Sequence, residues 1–489
     1  MRPMRKILIV GGGSSGWMTA IFLKKYLPET EITLIESSDI PIIGVGESTN
    51  VTMGYFQRLA GLTNEKAFMR AVNGAYKIGI RFENFNRLGG VFFHPFGRSK
   101  IKSQGPLFNS AAETAYPTYQ VAQQTTEFSK KLDYSYQIDA GLYGQYLKTE
   151  CKARGVRHVV DKVKKIVLST HKAQNIDHIE AEKSGDLKAD LYVDCTGFRS
   201  LLLTETLKEP FVSAQKYLLN DRAIAARIPY ANKQKELRTY TNCVGQSSGW
   251  VWEIPLWSRI GTGYVYSSAF LSPSQAEKEY RRYLGEKRVR DVEFNHISIR
   301  TGRNQRAWVG NCVGIGVSFG FLEPLESTGL SLTQVAIGDL TTALTTAESL
   351  TTARSQFNRR TTEVFDSAKD FIVAHFALTK RQDTPYWKYL ANECPIPDSL
   401  QLILAEARQG RFTRVDRTLN KFYQGANWNL ILAGMGLFDD QARTDFQPRL
   451  PETKNLARFL SETIYNESYR EPKVSRRAPE RLSTWYPTW

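Results

Sequence analysis

Cysteine is scarce in this chain. Its 489 residues include five, at positions 151, 195, 243, 312 and 394, odd in number and widely spaced. That pattern argues against a disulfide framework or a zinc-ligand cluster and for a reducing compartment. No apolar run is long enough to span a bilayer. Near the start, Arg2 and Arg5 are followed only by Ile7 to Val10 before a row of glycines. That reads as a first strand and not as the apolar core of a signal peptide, so a cytoplasmic protein with no membrane partner is expected. Internal repeats and low-complexity tracts are also missing. Acidic residues are outnumbered, 49 against 65 Lys plus Arg, leaving a net charge of +16. The excess is spread along the chain, as solubility would have it, except in the tail. There Lys473, Arg476, Arg477 and Arg481 gather among prolines. No recognised nucleic-acid-binding module accompanies them, so nucleic acid is not an expected partner.

The length suffices for a large core and two or more domains. Lys6-Ile-Leu-Ile-Val10 is a short apolar strand, followed by Gly11-Gly-Gly13-Ser14-Ser15-Gly16 and a helical stretch from Trp17 to Tyr26. Within that stretch Met18, Ile21 and Phe22 share one face. Glu31 to Glu36 reads as the next parallel strand. Gly11, Gly13 and Gly16 thus match the dinucleotide fingerprint in its strand–turn–helix context, with Glu36 placed to bind a ribose hydroxyl pair. Val159 to Leu168 and Ile176 to Glu182 read as strands of a smaller sheet. Ala189 to Ser200 reads as a strand returning to the dinucleotide fold. A small sheet inserted in this way is a flavoprotein pattern more than a nicotinamide one. The expected fold class is α/β, a Rossmann-type FAD-binding, monooxygenase-like domain over 1–345. A mostly helical region over 346–489 would cover the substrate, with Pro385 ending the helix that runs through Asp370 to Arg381.

The chain is organised around Phe319-Gly-Phe-Leu-Glu-Pro-Leu-Glu-Ser-Thr-Gly329. It links an apolar strand, Cys312 to Val317, to a helix over Leu330 to Leu344. Ser327 and Thr328 are good N-cap types, and a helix start can hold an anion. Glu326 beside such a cradle is an odd choice for stability alone, because like charges repel. Elsewhere Gly44-Val-Gly46-Glu47-Ser48-Thr49 suggests backbone lying close to a ligand, with a tight surface turn as the plainer reading. In Tyr76-Lys77-Ile-Gly-Ile-Arg81-Phe-Glu83 the apolar residues alternate as on one strand, with Lys77 and Arg81 on a shared face. Lys77 is either a desolvated donor or nucleophile, or, more commonly for such a lysine, one that snorkels to water. His94 sits in an aromatic cluster, as a ligand-orienting group or a satisfied core histidine. Trp250 and Trp252 share a strand face, as a cavity wall or as plain core.

Together these pieces resemble the flavin-dependent halogenases of the tryptophan halogenase family. The resemblance rests on Gly11 to Trp17, Gly44 to Thr49, Tyr76-Lys77, His94-Pro-Phe96, Gly249-Trp-Val-Trp-Glu-Ile-Pro255, Phe321 to Gly329, and Thr379-Lys-Arg381 with Asp383 to Trp387. It runs in order from residue 6 to about 440. It implies an enzyme that uses FADH2, O2 and a halide to make hypohalous acid for electrophilic halogenation of a small aromatic substrate. A separate flavin reductase would supply the reduced cofactor. The implied roles are cofactor binding by Gly11, Gly13, Ser14, Ser15, Gly16, Glu36, Gly46, Glu47 and Ser48, and halide binding by Thr328 and Gly329. His94 and Phe96 would sandwich the substrate, and Lys77 and Glu326 would be catalytic. Thr49 is followed by Asn50-Val-Thr-Met and not by the family's proline-bearing continuation. The region after residue 390, where tryptophan-specific members hold the amino-acid end of the substrate, lacks clear matches. Indoles, phenols and pyrroles therefore all remain open as the ring, as do chloride, bromide and iodide and any self-association. The rival readings are an FAD-dependent aromatic hydroxylase and a non-catalytic flavin-binding protein.

Overall fold

The computed structural model describes residues 4–40, 44, 46–96, 134–409, 421–423 and 425–437. The basic, aromatic tail lies outside them. The fold grows from strand Lys6–Val10, whose last four residues are buried. A near-continuous apolar run is what a parallel sheet covered on both faces requires. Glu31–Glu36 pairs parallel on one side, Ile7 facing Ile32, and Leu191–Asp194 on the other, Ile7 facing Leu191. Cys312–Gly314 and the antiparallel edge Trp308–Val309 extend one side, and Arg157–Val160 closes the other, giving six strands. The expected returning strand is thus central to the Rossmann sheet.

Val159 departs from expectation: it belongs to this large sheet. Strand Arg157–Val160 stops because the Asp161 carboxylate accepts the backbone N–H groups of Lys162, Lys183 and Ser184, which turns the chain away. The inserted small sheet then consists of Val163–Leu168, Ile176–Ala181 and Gly185–Leu187, all antiparallel. The strand before the organising loop is also shorter than expected, ending at Gly314.

A second, seven-stranded sheet runs Asn295–Ser298, Arg222–Ile228, Ile260–Tyr266, Gly249–Pro255, Tyr240–Gly245, Gly79–Glu83 and Val91–Pro95. Its pairs are antiparallel except that between Gly79–Glu83 and Tyr240–Gly245. The stretch expected as one strand from Tyr76 to Glu83 is split at Ile78. Ala75–Lys77 pairs instead with Ser135–Ile138, in a three-stranded sheet that also holds Glu47–Ser48. Lys77 and Arg81 therefore do not share a strand face. Arg81 bonds Glu83 and Asn242.

The helices follow as read, with two corrections. Helix Thr328–Thr346 packs against both Ser14–Tyr26 and Leu350–Ala377, which brings the glycine turn and the organising loop together. The long helix ends at Ala377, and Pro385 does not terminate it. Pro385 opens helix Pro385–Asn392, capped by Thr384, because its fixed φ and missing N–H suit the first helical position. Among the described residues no helix is long and apolar enough to cross a membrane, and no group of three metal-ligating side chains gathers. All five cysteines are free.

Gly11 takes φ of +112°, and a Cβ there would lie 2.3 Å from the Cys195 carbonyl oxygen. Gly11→Ala should lower stability by about 2 kcal/mol or more, read as a fall in the urea midpoint at unchanged slope.

Candidate active site

The site forms where the organising loop meets the split strand. In that loop Glu326 and Ser327 adopt left-handed backbone in succession, with φ of 60° and 58°. Ser327 occupies the N-cap position of helix Thr328–Thr346 but makes no side-chain cap. Its hydroxyl instead accepts a hydrogen bond from Lys77 Nζ at 2.7 Å and pairs with Ser48 Oγ at 2.8 Å. The capping expected of Ser327 is lost to that lysine, and the helix start keeps uncapped N–H groups. A Cβ on Gly329 would meet nothing within 4 Å, so space lies open beside the first turn.

Lys77 does not snorkel; it has no exposed surface. Its amine also donates to the Thr49 carbonyl at 3.0 Å and lies 5.0 Å from the centre of the Phe96 ring, within reach of a cation–π contact. Burial pulls the amine down to about 7, with Glu326 opposing. An amine in that range has a substantial neutral, nucleophilic fraction near neutral pH.

Glu326 is held by two histidines. His94 Nδ1 lies 2.7 Å from Oε2, and His375 Nε2 lies 3.0 Å from Oε1. Burial pushes the carboxyl up, but the histidines outweigh it and hold it at about 2. His94, lowered by burial, is raised on balance by the same carboxylate. Its other ring nitrogen reaches Asn427 Oδ1 at 2.9 Å. Tyr423 donates its hydroxyl to the Glu326 carbonyl at 3.1 Å and stacks on Phe371, ring centres 3.9 Å apart. His94 is thus a satisfied buried histidine that also touches the acid, with Phe96 buried nearby. His375 and Tyr423 have no role in the sequence reading. The available signal for His375 was a lone titratable residue inside the apolar run Phe371-Ile-Val-Ala-His-Phe376.

The glycine turn fits a dinucleotide. A Cβ on Gly13 would meet nothing within 4 Å, while one on Gly12 would lie 1.5 Å from Glu36 Oε2. The Glu36 carboxylate thus stands against the turn, with Lys148 at 3.0 Å and His158 at 2.8 Å on its other oxygen. Ser14 opens helix Ser14–Tyr26. Ser15 lies against Gly316, where a Cβ would approach its hydroxyl to 2.4 Å. Gly46 and Glu47 adjoin Ser48, and burial raises the Glu47 carboxyl to about 7. Ser48 itself reaches Thr241 and Ser327, at the Lys77 end of the site. Of the aromatic strand, Trp250 is core, and its indole N–H donates to Glu323 at 2.8 Å.

Comparison with known proteins bears on this geometry. Residues 6–447 match the family model for tryptophan halogenase. Tryptophan 6-halogenase SttH of Streptomyces toxytricini is 37% identical over 438 residues, covering 81% of this chain and 82% of that one. Tryptophan 7-halogenase RebH of Lentzea aerocolonigenes is 34% identical, covering 94% of each. Among solved structures, Tar14, a tryptophan C-6 flavin-dependent halogenase (chlorinase) from taromycin biosynthesis, superposes with a TM-score of 0.80. It is 34% identical and covers 94% of this chain and 97% of its own.

His375→Leu removes a donor from a buried carboxylate, so a loss of about 3 kcal/mol at pH 7 is expected in urea unfolding. A carboxyl held below its usual range stabilises the fold above its unfolded pKa, and that stability is lost as pH falls through the folded value. The gap between native and variant protein should therefore shrink as pH drops from 4.5 toward about 2.

Proposed function

This chain belongs to the tryptophan halogenase family and is a flavin-dependent halogenase of an aromatic substrate, and from that premise we propose how its own residues carry the reaction. Gly11, Gly13, Ser14, Ser15 and Gly16 bind FAD at the first helix start, with Glu36 on a ribose, and Gly46, Glu47 and Ser48 line the approach to the isoalloxazine. A separate reductase delivers the reduced cofactor. Bound FADH2 with O2 supplies the oxidising equivalent that turns halide into hypohalous acid. The backbone N–H groups of Thr328 and Gly329 hold the halide, because an uncapped helix start carries partial positive charge and free donors.

Lys77 then receives the hypohalous acid. Either the ammonium hydrogen-bonds it, or the neutral amine displaces water from the halogen and becomes a haloamine. In both cases the halogen faces the ring as an electrophile. Glu326 stays ionised, stabilises positive charge on the halogenated ring and takes the departing ring proton. His94 and His375 fix its orientation, and His94 with Phe96 borders the ring. The observation that carries this reading is the wholly buried Lys77 amine, 2.7 Å from the hydroxyl of the residue that follows Glu326. The relatives named for tryptophan make that amino acid the first ring to test, with free indoles, phenols and pyrroles beside it.

The experiment combines the protein with FAD, a flavin reductase, NADH and bromide or chloride, and reads product mass across that panel. A gain of halogen is expected. A gain of oxygen with no halogen would assign a hydroxylase and overturn the reading. Lys77→Ala should lower halogenation by about a hundredfold or more while FAD binding persists. If the neutral amine is the working form, the rate rises with pH through about 7. A rate that falls across that window assigns the ammonium form instead.

A further inference from the structure

Beneath the organising loop, two wholly buried side chains each leave one oxygen unpartnered. Asn220 Nδ2 and Trp250 Nε1 both donate to Glu323 Oε2, each at 2.8 Å. Among the described residues neither Glu323 Oε1 nor Asn220 Oδ1 has a hydrogen-bond partner. None of the three residues is exposed. A carboxylate here would be a full charge removed from water, with two donors crowded on one oxygen and no cation among the groups that act on it. Such a charge takes up a proton instead. A single proton also resolves both orphans. As an acid, Glu323 donates Oε1–H to Asn220 Oδ1 while Asn220 Nδ2–H donates to Oε2, the closed ring of an acid–amide pair.

We propose that Glu323 is a neutral carboxylic acid paired with the Asn220 amide, and that with Trp250 it forms a clamp positioning the loop that ends in Glu326, Thr328 and Gly329. The clamp ties the aromatic strand Gly249–Pro255 to that loop. Trp250 thereby acts at a distance on Lys77, through the same segment that carries Ser327. Thr328 Oγ1 continues the tie by donating to the Leu325 carbonyl at 3.1 Å. Burial raises the Glu323 carboxyl to about 7, in keeping with a held proton. A titratable group against the pair is Tyr386 on helix Pro385–Asn392, its hydroxyl raised by burial first and by Glu323 next, with a hydrogen bond from the Asn220 amide opposing. The clamp's role in catalysis rests on the site reading above; its protonation does not.

Glu323→Gln decides the matter, because glutamine reproduces the neutral acid: its oxygen accepts from Trp250 and Asn220, and its amide donates to Asn220 Oδ1. Thermal unfolding of flavin-free protein is followed from pH 5 to 8. A carboxyl raised in the fold contributes stability below its unfolded pKa that is lost as pH rises through the folded value. The native protein should therefore melt alongside the glutamine variant at pH 5 and fall behind it by pH 8. In halogenation at pH 7, Glu323→Gln should restore activity that Glu323→Ala loses by about tenfold or more. A glutamine variant that fails to fold, matches the alanine variant in activity, or melts at a pH-independent offset would overturn the proposal. If the native protein halogenates nothing, the site reading fails, while the melting comparison still decides the acid–amide pair.

Discussion

Two consecutive residues without glycine's freedom, Glu326 and Ser327, sit in left-handed backbone at the mouth of a nineteen-residue helix. Each costs on the order of 1–2 kcal/mol relative to ordinary helical backbone. That cost is met by contacts which only this kink allows. It throws the Glu326 carboxylate toward His94 and His375, turns its carbonyl toward Tyr423, and aims the Ser327 hydroxyl at Lys77. The same kink keeps Ser327 from capping the helix it begins, so donors remain at the helix start. The place of the carboxylate, the aim of the serine hydroxyl and the uncapped helix start are consequences of one backbone conformation.

The surroundings are built to hold that conformation. Gly79–Glu83 and Val91–Pro95 are adjacent strands, and a Cβ on Gly79 would lie 2.5 Å from the His94 carbonyl. The two strands therefore approach closely where His94 leaves for Glu326. Lys77 arrives on a different, three-stranded sheet that also contains Ser48. His375 comes from the long second helix, and Asn427 and Tyr423 from the far end of the described chain. Five stretches distant in sequence thus converge on one short loop. The loop's helix packs on the helix after the glycine turn, which holds that turn against the loop.

Motifs whose chemistry is local were legible in the sequence. The glycine turn with Glu36, the returning strand and the helix read over Leu330 to Leu344 follow from periodicity and spacing, and each forms, the strand shorter and the helix longer than read. What failed depended on partners far along the chain. Nothing near Lys77 announces that the strand breaks at Ile78, because the break exists only to let two sheets share that segment. By pattern alone Lys77 belonged with snorkelling lysines; only the resemblance placed it inside. Ser327 looked like a cap because local propensity favours one, and a lysine 250 positions away outcompeted the helix for its hydroxyl. His375 was invisible for the same reason: nothing in an apolar helix face tells that a histidine within it will meet a carboxylate 49 residues away.

The amine and the carboxylate share a site but not a bond. The oxygens of Glu326 are taken by His94 and His375, and the amine of Lys77 donates to Ser327 and Thr49. Had the two been joined directly, the carboxylate would hold the ammonium charged and leave it a poor nucleophile. With neutral oxygens as its partners, burial prevails and the amine falls to about 7. The histidines perform the converse service, keeping the carboxylate ionised where burial alone would protonate it. A single serine stands where the two groups would otherwise join, and so the amine falls to about 7 while the carboxylate beside it stays ionised.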